Sequence, residues 1–331
     1  MTIALDVVES SLLGQFEFAG HPFPVVLVNR SAEADLDRVV AWLGERRQQF
    51  LQRAANQGAV LFRGFPVTTP EDFDRFIAAF DLPNFAYEDS LSNAVRVNKT
   101  ARVFTANEAP STVTIFLHHE MAQTPIYPSR LFFFCEQPAE SGGATPLCRS
   151  DVLWTRLAAE CPEFARNSET KGLRYANVMP AANDLASGMG RSWQSTLRAE
   201  TRADAERRLQ QLGYSWEWLP DGCLRAITPV LPAVRTLPDG RKTFFNQLIA
   251  AFKGWKDDRN DPSRAITFGD GAPLDRAAVE VASRLGEELS FDVPWQRGDV
   301  ALVDNYVTMH GRRTFSGARK VLASLIAADA G

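Results

Sequence analysis

The sequence has little of what marks several common protein classes. Its four cysteines are widely separated with no C-x-x-C pair, which fits reduced core thiols better than disulfide bridges or a zinc ribbon. Its longest apolar runs, such as Leu131 to Cys135, are strand-length and far below the roughly 20 residues that span a bilayer. The sequence therefore predicts a globular protein without a membrane-spanning segment.

An excess of charge of one sign is also absent. Lys and Arg together number 36, Asp and Glu together number 40, and the formal net charge is −4. The chain therefore lacks the excess of basic residues that is typical of proteins that bind nucleic acid. The first 20 residues carry acids and no basic region ahead of an apolar stretch, a pattern that does not predict a secretory signal. We expect a cytoplasmic protein with neither nucleic-acid nor membrane partners.

No segment repeats and no Pro-, Gly- or Ser-rich linker divides the chain, which predicts a single domain over residues 1–331. In residues 1–90, an α/β part, we expect a helix after Ser31 that stops at Gly58, a strand directly after it, and a second helix capped by Thr69. In residues 91–331 short strands predominate, with a long insertion at about 150–240. The expected strands there are 101–105, 112–117, 131–135, 244–248, 300–304 and 320–326. Helices are expected after Ser150, at 201–212 and at 275–289.

Histidine is scarce, and its placement is informative. The chain contains only His21, His118, His119 and His310. Residues i and i+2 of a strand share a face, so His118 and Glu120 would point one way and His119 the other. With the distant His310 they would form the two-histidine, one-carboxylate triad that leaves open positions on non-haem Fe(II). Spacing alone leaves a polar strand edge with a satisfied core histidine about equally open.

Arg319, nine residues after His310, leads into an apolar strand, where its fork could hold a carboxylate bidentately. With this residue in place, the sequence resembles the Fe(II)/2-oxoglutarate dioxygenases of the taurine dioxygenase and clavaminate synthase-like superfamily. Within that superfamily it is most similar to the syringomycin-type branch. The matching stretches, in family order, are LFRGF at 61–65, HHEMAQ at 118–123, GGAT at 142–145, WQRGDV at 295–300 and the segment 310–319.

The resemblance implies a double-stranded β-helix, or jelly roll, with flanking helices, which uses Fe(II), 2-oxoglutarate and dioxygen. It implies that His118, Glu120 and His310 are the iron ligands. It also implies that Arg319 binds the distal carboxylate of 2-oxoglutarate, assisted by Thr145. Related halogenases lack the ligand carboxylate, so its presence argues against halogenation. The sequence departs from the family pattern at one position. The family often has a second basic residue four positions after the arginine, and that position is Ala323 here.

The function implied is hydroxylation of an unactivated C–H bond in an amino acid or amino-acid derivative, free or presented by a carrier protein. Desaturation by the same chemistry is an alternative. Arg191 and Asn246 are candidate substrate contacts, against the commoner roles of a surface arginine and of a buried amide that satisfies backbone. Arg63 is expected to be a structural anchor.

Two rival classes use the same three ligands or the same fold. A zinc hydrolase could be built on two histidines and a carboxylate, and a jelly-roll protein could bind a ligand without catalysis. Arg319 and Thr145 favour the oxygenase, because a hydrolase has no need of a dedicated dicarboxylate pocket. The oligomeric state is left open by the sequence.

Overall fold

The structure, a computed structural model, describes residues 5–31, 35–87, 90–92, 94, 96–106, 108–184, 190–254 and 265–330. Its helices are α1 (Leu36–Gln57), α2 (Pro70–Ala78), α3 (Ser150–Glu160), α4 (Pro162–Lys171), α5 (Trp193–Leu197), α6 (Arg202–Gln211), α7 (Leu248–Gly254) and α8 (Arg276–Glu288). Its strands are β1 (Val7–Ser10), β2 (Phe16–Phe18), β3 (His21–Phe23), β4 (Val25–Asn29), β5 (Ala59–Arg63), β6 (Phe104–Thr105), β7 (Ile115–His118), β8 (Ile126–Gln137), β9 (Ser141–Gly142), β10 (Thr145–Arg149), β11 (Leu173–Met179), β12 (Ser215–Trp218), β13 (Leu224–Ile227), β14 (Arg235–Thr236), β15 (Lys242–Thr243), β16 (Ile266–Phe268), β17 (Ser290–Val293), β18 (Val300–Asp304), β19 (Thr308–Arg312), β20 (Phe315–Ser316) and β21 (Lys320–Ala330).

Two sheets form the jelly-roll core. The larger sheet has the order β1-β4-β5-β18-β8-β21-β6, and the smaller has the order β17-β10-β19-β7. Long antiparallel ladders join β8 to β21 and β18 to β8. The strand-rich, mixed α/β architecture with a jelly-roll core confirms the predicted fold class.

The larger sheet is buried on both faces, as alternation along β8 illustrates. Leu131, Phe133 and Cys135 belong to the cluster that also takes in side chains of the smaller sheet. Phe132 and Phe134 point the opposite way, into a second cluster built with α1 and α2. Because both faces are covered, this strand has a continuous apolar run instead of an alternating one.

The α/β opening of the chain is a crossover unit. Strand β4 pairs in parallel with β5, and α1 connects them. Asp35 caps the start of α1 by accepting from the Arg38 N–H, and Gly58 ends it at φ +95°. A Cβ on Gly58 would lie 2.5 Å from Thr308 Oγ1 and 2.7 Å from Arg149 Cδ. Glycine is therefore required there, because φ is positive and because there is no space for a Cβ. The predicted helix stop at Gly58 is confirmed.

The second helix also begins where the sequence predicts. Thr69 and Asp72 form a capping box, and Pro70 occupies the first turn of α2. These contacts satisfy N–H groups at the helix start that have no intrahelical partner. The apolar face, with Phe73, Phe76 and Ile77 buried, packs into the cluster beneath the larger sheet.

The strand expected at 244–248 is wrong. Phe244 and Phe245 do pack into different clusters, and this alternation imitates a strand in the sequence. The Asn246 side-chain oxygen, however, accepts from the Leu248 N–H, and α7 begins at Leu248. The local side-chain hydrogen bond fits a helix start, a role that asparagine commonly has.

The expected insertion contains a sheet of its own, with the order β12-β13-β11-β16. Because β16 covers 266–268, this layer reaches past the expected limit near residue 240. Helices α5 and α6 pack on it through Leu197, Ala205 and Leu209. Within the described ranges, every helix falls short of the length and apolar character needed to cross a membrane.

Candidate active site

Two histidines face each other across neighbouring strands of the smaller sheet. His118 ends β7 and is the cross-strand partner of His310 in β19. Their ring centroids lie 4.4 Å apart. The His118 Nδ1 lies 2.8 Å from the Phe116 carbonyl oxygen. Since a carbonyl can only accept, Nδ1 carries the proton and Nε2 is left with a free lone pair.

Glu120 brings a carboxylate to the same place, although β7 ends at His118 and Glu120 lies in a turn. Met121 follows it with φ +59°, so the backbone leaves the extended region here. The side-chain amide of Asn305 fixes the turn: its Oδ1 accepts from the Glu120 N–H at 2.8 Å, and its Nδ2 donates to the Glu120 carbonyl at 3.0 Å. The Glu120 carboxylate thus lies beside His118 and His310, as the sequence predicts. Buried hydrogen bonds contribute to this placement as well as strand geometry.

The three side chains form a donor set of the kind that can hold a metal ion. One ligand atom from each of His118, Glu120 and His310 lies within 4.8 Å of the others. Glu120 Oε2 is 3.5 Å from His310 Nε2 and 4.0 Å from His118 Nε2. Burial, with His310 nearby, lowers the pKa of His118 to about 4, so its imidazole is neutral at pH 7. Two imidazoles and one carboxylate on one side of a cavity fit Fe(II) with open positions.

His119 follows the end of β7 and points away from the triad cavity. It is fully buried, its Nδ1 donates to the Asn305 carbonyl, and its Nε2 lies 2.9 Å from Ser150 Oγ. Burial lowers its pKa to about 3. Both ring nitrogens of this neutral histidine therefore have partners inside the protein.

Arg319 and Thr145 lie together in the same cavity as the triad. Arg319 Nε donates to the Gly143 carbonyl at 2.8 Å, and its Nη2 lies 3.4 Å from Thr145 Oγ1. The Trp295 indole N–H donates to that hydroxyl at 2.9 Å. Gly143 has φ +70°, and a Cβ there would lie 3.0 Å from Arg319 Cδ. The glycine of the GGAT stretch thus leaves room for the guanidinium.

A second guanidinium approaches Arg319 from β19. Arg312 lines the cavity and donates to the carbonyls of Ala109, Pro110 and Val113 at 2.8 Å. Burial, reinforced by Arg312, lowers the pKa of Arg319 to about 10, which leaves it charged at pH 7. Ala323 lines the cavity without charge, and Arg312 supplies a positive charge near Arg319 from another strand.

Arg96 is the cavity residue that the sequence did not reveal. Its Nη2 donates to both carboxylate oxygens of Glu120, at 3.0 and 3.2 Å, and its guanidinium lies over the rings of Tyr87 and Phe104. Burial acts to raise the pKa of Glu120, but Arg96 together with His310 and His118 outweighs it and holds that pKa well below its usual range. The carboxylate is therefore ionised at pH 7.

Comparison with known proteins gives the same family as the motifs. Residues 21–325 match the family described as taurine catabolism dioxygenase TauD, TfdA family. The chain belongs to the TauD/TfdA dioxygenase family. A clavaminate synthase-like protein of Arabidopsis thaliana, At3g21360, is 40% identical over 327 residues, 97% of this chain and 98% of that protein.

Two further likenesses are more distant. The dapdiamide synthesis protein DdaC of Enterobacter agglomerans is 29% identical over 291 residues, 82% of this chain and 83% of that protein. A solved asparagine oxygenase, in complex with Fe(II), 2S,3S-3-hydroxyasparagine and succinate, covers 88% of this chain and 83% of its own with a TM-score of 0.52 and 12% identity. At that identity the structural likeness concerns the fold.

As a TauD/TfdA dioxygenase, the protein is an oxidoreductase that uses Fe(II), 2-oxoglutarate and dioxygen. Family membership decides among the three classes that the sequence left open. It favours the oxygenase over the zinc hydrolase and over the non-catalytic binding protein.

The structure places the two candidate substrate contacts of this dioxygenase outside the triad cavity. Arg191 lies outside the residues that line the triad cavity, and it donates to the Ser90 and Ser195 carbonyls at 2.8 Å. Asn246 is fully buried, and its amide donates to the Ala233 carbonyl at 3.0 Å. Both side chains are used to hold segments of the protein together, which is the alternative role considered for Asn246.

Other residues of the motifs have structural roles in the dioxygenase fold. Arg63 forms a bidentate ion pair with Asp299, with Nε 3.0 Å from Oδ1 and Nη2 2.7 Å from Oδ2, as expected for an anchor. Trp295, within WQRGDV, contacts Thr145 as described above. The missed residues Arg96 and Asn305 lie outside the stretches that carry the family resemblance.

Proposed function

We propose that this dioxygenase hydroxylates an unactivated C–H bond of an amino acid or amino-acid derivative. Ferrous iron with 2-oxoglutarate and dioxygen supplies the oxidation, with release of succinate and carbon dioxide. The observation that carries the proposal is the composition of one cavity of about 490 Å³, counting its open mouth. The triad and three guanidinium groups line it together.

His118, Glu120 and His310 would hold the iron. They approach from one side of the cavity, so the opposite side stays open to cosubstrate and substrate. The carbonyl of Phe116 keeps the His118 tautomer fixed, and Asn305 keeps the Glu120 turn fixed. Such outer contacts orient metal ligands before the metal binds.

Arg319 would bind the distal carboxylate of 2-oxoglutarate, with the Thr145 hydroxyl beside it. A guanidinium fork matches a planar carboxylate, and the pairing is strongest where water is excluded. The Gly143 carbonyl accepts from Arg319 Nε and holds the side chain at the cavity wall. Arg312 adds positive charge on the same side, which favours a dianion.

The charge of the cavity supports a substrate that carries a carboxylate. Among its described lining residues, the cavity has three guanidinium groups, those of Arg96, Arg312 and Arg319, and one carboxylate, that of Glu120. Two named likenesses agree with an amino-acid substrate: one is an asparagine oxygenase, and the other belongs to dapdiamide synthesis. Whether the amino acid is free or bound to a carrier protein is decided by the experiment below.

The proposal is tested by substrate-dependent succinate release. Protein reconstituted anaerobically with Fe(II) and 2-oxoglutarate is exposed to air with each proteinogenic amino acid, and then with the same amino acids as carrier-protein thioesters. We expect at least one to stimulate succinate release and to gain one oxygen atom by mass spectrometry. His118→Ala is the control that should abolish both signals.

Other outcomes separate the alternatives. Loss of two hydrogens from the stimulating compound would identify a desaturase with the same cofactors. Stimulation by none of the free or carrier-bound amino acids would contradict the proposed substrate class.

A further inference from the structure

Arg96 donates to both carboxylate oxygens of Glu120 through a single nitrogen. Its Nη2 lies 3.0 Å from Oε1 and 3.2 Å from Oε2. Because these two distances are nearly equal, the nitrogen lies close to the plane that bisects the carboxylate. A metal ion that is bound by both oxygens of one carboxylate must also lie close to that plane, in front of both oxygens. The guanidinium therefore occupies the position that two-oxygen binding would require.

One of the two Glu120 oxygens also faces the histidines. Oε2 lies 3.5 Å from His310 Nε2 and 4.0 Å from His118 Nε2. A carboxylate oxygen has more than one lone pair, so Oε2 can accept from Arg96 and still bind a metal on the side of the histidines. The geometry thus allows one oxygen of Glu120 to be a ligand and opposes the use of both.

The Arg96 guanidinium is held in place by groups other than Glu120. Its Cζ lies 4.8 Å from the ring centroid of Tyr87 and 5.2 Å from that of Phe104, distances typical of cation–π contacts. Phe104 lies in β6 and pairs with Ala323 of β21, so the larger sheet fixes the position of one of these rings. The Arg96 side chain is 7% exposed. Because the fold sets its position, Arg96 can constrain Glu120.

The number of Glu120 oxygens on the metal decides how many coordination positions stay open. The two-histidine, one-carboxylate triad serves oxygenases because it leaves open positions on one side of the iron. A carboxylate that binds through both oxygens takes one of these positions. Less room is then left for 2-oxoglutarate and dioxygen.

We propose that Arg96 is a positioning residue that limits Glu120 to binding iron through one oxygen, Oε2. Its Nη2 occupies the place in front of both oxygens and gives Oε1 a charge-assisted hydrogen bond. Such contacts outside the ligand set commonly orient metal ligands. The inference rests on the iron site proposed above and is independent of the substrate.

Infrared difference spectroscopy of Fe(II)-loaded minus metal-free protein tests the inference, without 2-oxoglutarate or dioxygen. The antisymmetric and symmetric stretches of a carboxylate are further apart when one oxygen binds the metal than when both do. Isotope-labelled glutamate identifies the glutamate bands, and Glu120→Gln identifies those of Glu120. We expect a wide separation for the wild type and a narrow one for Arg96→Met. Arg96→Lys should keep the wide separation, because an ammonium still donates to the carboxylate.

The affinity for 2-oxoglutarate gives a second readout. Arg96→Met should weaken it by about tenfold or more, at the lower end of the range typical for residues that orient metal ligands, while Fe(II) affinity should change less. A merely structural role would lower Fe(II) affinity at least as much and would leave the band separation unchanged. Because loss of a positive charge also weakens binding of a dianion, the infrared bands decide between these causes.

Arg102→Met is the matched control. Arg102 lies in the same segment as Arg96, but its Nη1 pairs with Asp74 at 2.6 Å, and it does not line the triad cavity. Its replacement should leave both the Glu120 bands and the affinity for 2-oxoglutarate unchanged.

The wild type alone can overturn the inference, which would fail if its Glu120 bands had a narrow separation. A wide separation in Arg96→Met would also overturn it, and would leave the proposed oxidation unaffected. A wild-type difference spectrum without Glu120 bands would overturn both this inference and the assignment of Glu120 as an iron ligand. The measurement needs no substrate, so its result does not depend on which compound is oxidised.

Discussion

The side-chain amide of Asn305 binds both backbone polar groups of Glu120. Its Oδ1 accepts from the Glu120 N–H, and its Nδ2 donates to the Glu120 carbonyl. The same Nδ2 also donates to the Pro128 carbonyl at 2.7 Å, and the Asn305 carbonyl accepts from His119. One fully buried residue thus holds the turn that presents the carboxylate to the two histidines.

Replacement of Asn305 should therefore weaken metal binding without removing a ligand. For Asn305→Ala we expect Fe(II) affinity to fall by about 10- to 100-fold, the range typical for residues that orient metal ligands. The measurement is an anaerobic Fe(II) titration. Asn29→Ala is the matched control, because Asn29 is another buried asparagine that binds backbone, at Gly64 and Ser31. Equal affinities for all three proteins would contradict this role.

Arg319→Ala should weaken 2-oxoglutarate binding by more than about tenfold, because a charge-assisted pair contributes on the order of 1.5–3 kcal/mol. Iron binding should be little changed, since Arg319 contacts Gly143 and Thr145 and not the triad. Arg319→Lys should restore only part of the affinity, because an ammonium lacks the fork. Binding is read from the visible charge-transfer absorption of anaerobic protein with Fe(II).

Arg313→Ala is the control for that series. Arg313 is next to Arg312 in sequence, but it pairs with Asp292 and Glu287 and does not line the cavity. Its replacement should leave 2-oxoglutarate affinity unchanged. A loss in Arg313→Ala that equals the loss in Arg319→Ala would show that the carboxylate is bound elsewhere.

Arg63→Met should destabilise the fold by about 3–5 kcal/mol in urea unfolding, because it leaves the buried Asp299 carboxylate without its partner. The double variant Arg63→Met with Asp299→Leu should recover much of this loss, since no charge then stays buried. A single variant as stable as the wild type would remove Arg63 from the anchoring role.

Much of the fold could be predicted because local signals and tertiary packing agree. Gly58 stops α1 where its sequence position suggests, and Thr69 caps α2. The segment 244–248 shows the opposite case, because its alternating burial reflects two phenylalanines in different clusters and Asn246 begins a helix there. A pattern of two residues cannot distinguish these cases.

The site was predictable where a motif holds its residues at fixed spacing. His118, Glu120 and His310 converge as expected, although the strand argument reaches only to His118. Arg96 could not be found in this way, because a lone arginine acquires its role only when the fold brings it to Glu120. Arg191 shows the same limit, since its partner Ser90 is brought to it by tertiary structure.

The central claim is that His118, and not the adjacent His119, holds the metal with Glu120 and His310. The most direct test is iron stoichiometry after anaerobic loading of the wild type, His118→Ala and His119→Asn, followed by addition of 2-oxoglutarate. We expect the wild type and His119→Asn to bind one equivalent and to develop the charge-transfer absorption, while His118→Ala does neither. Loss of iron in His119→Asn with retention in His118→Ala would contradict the account.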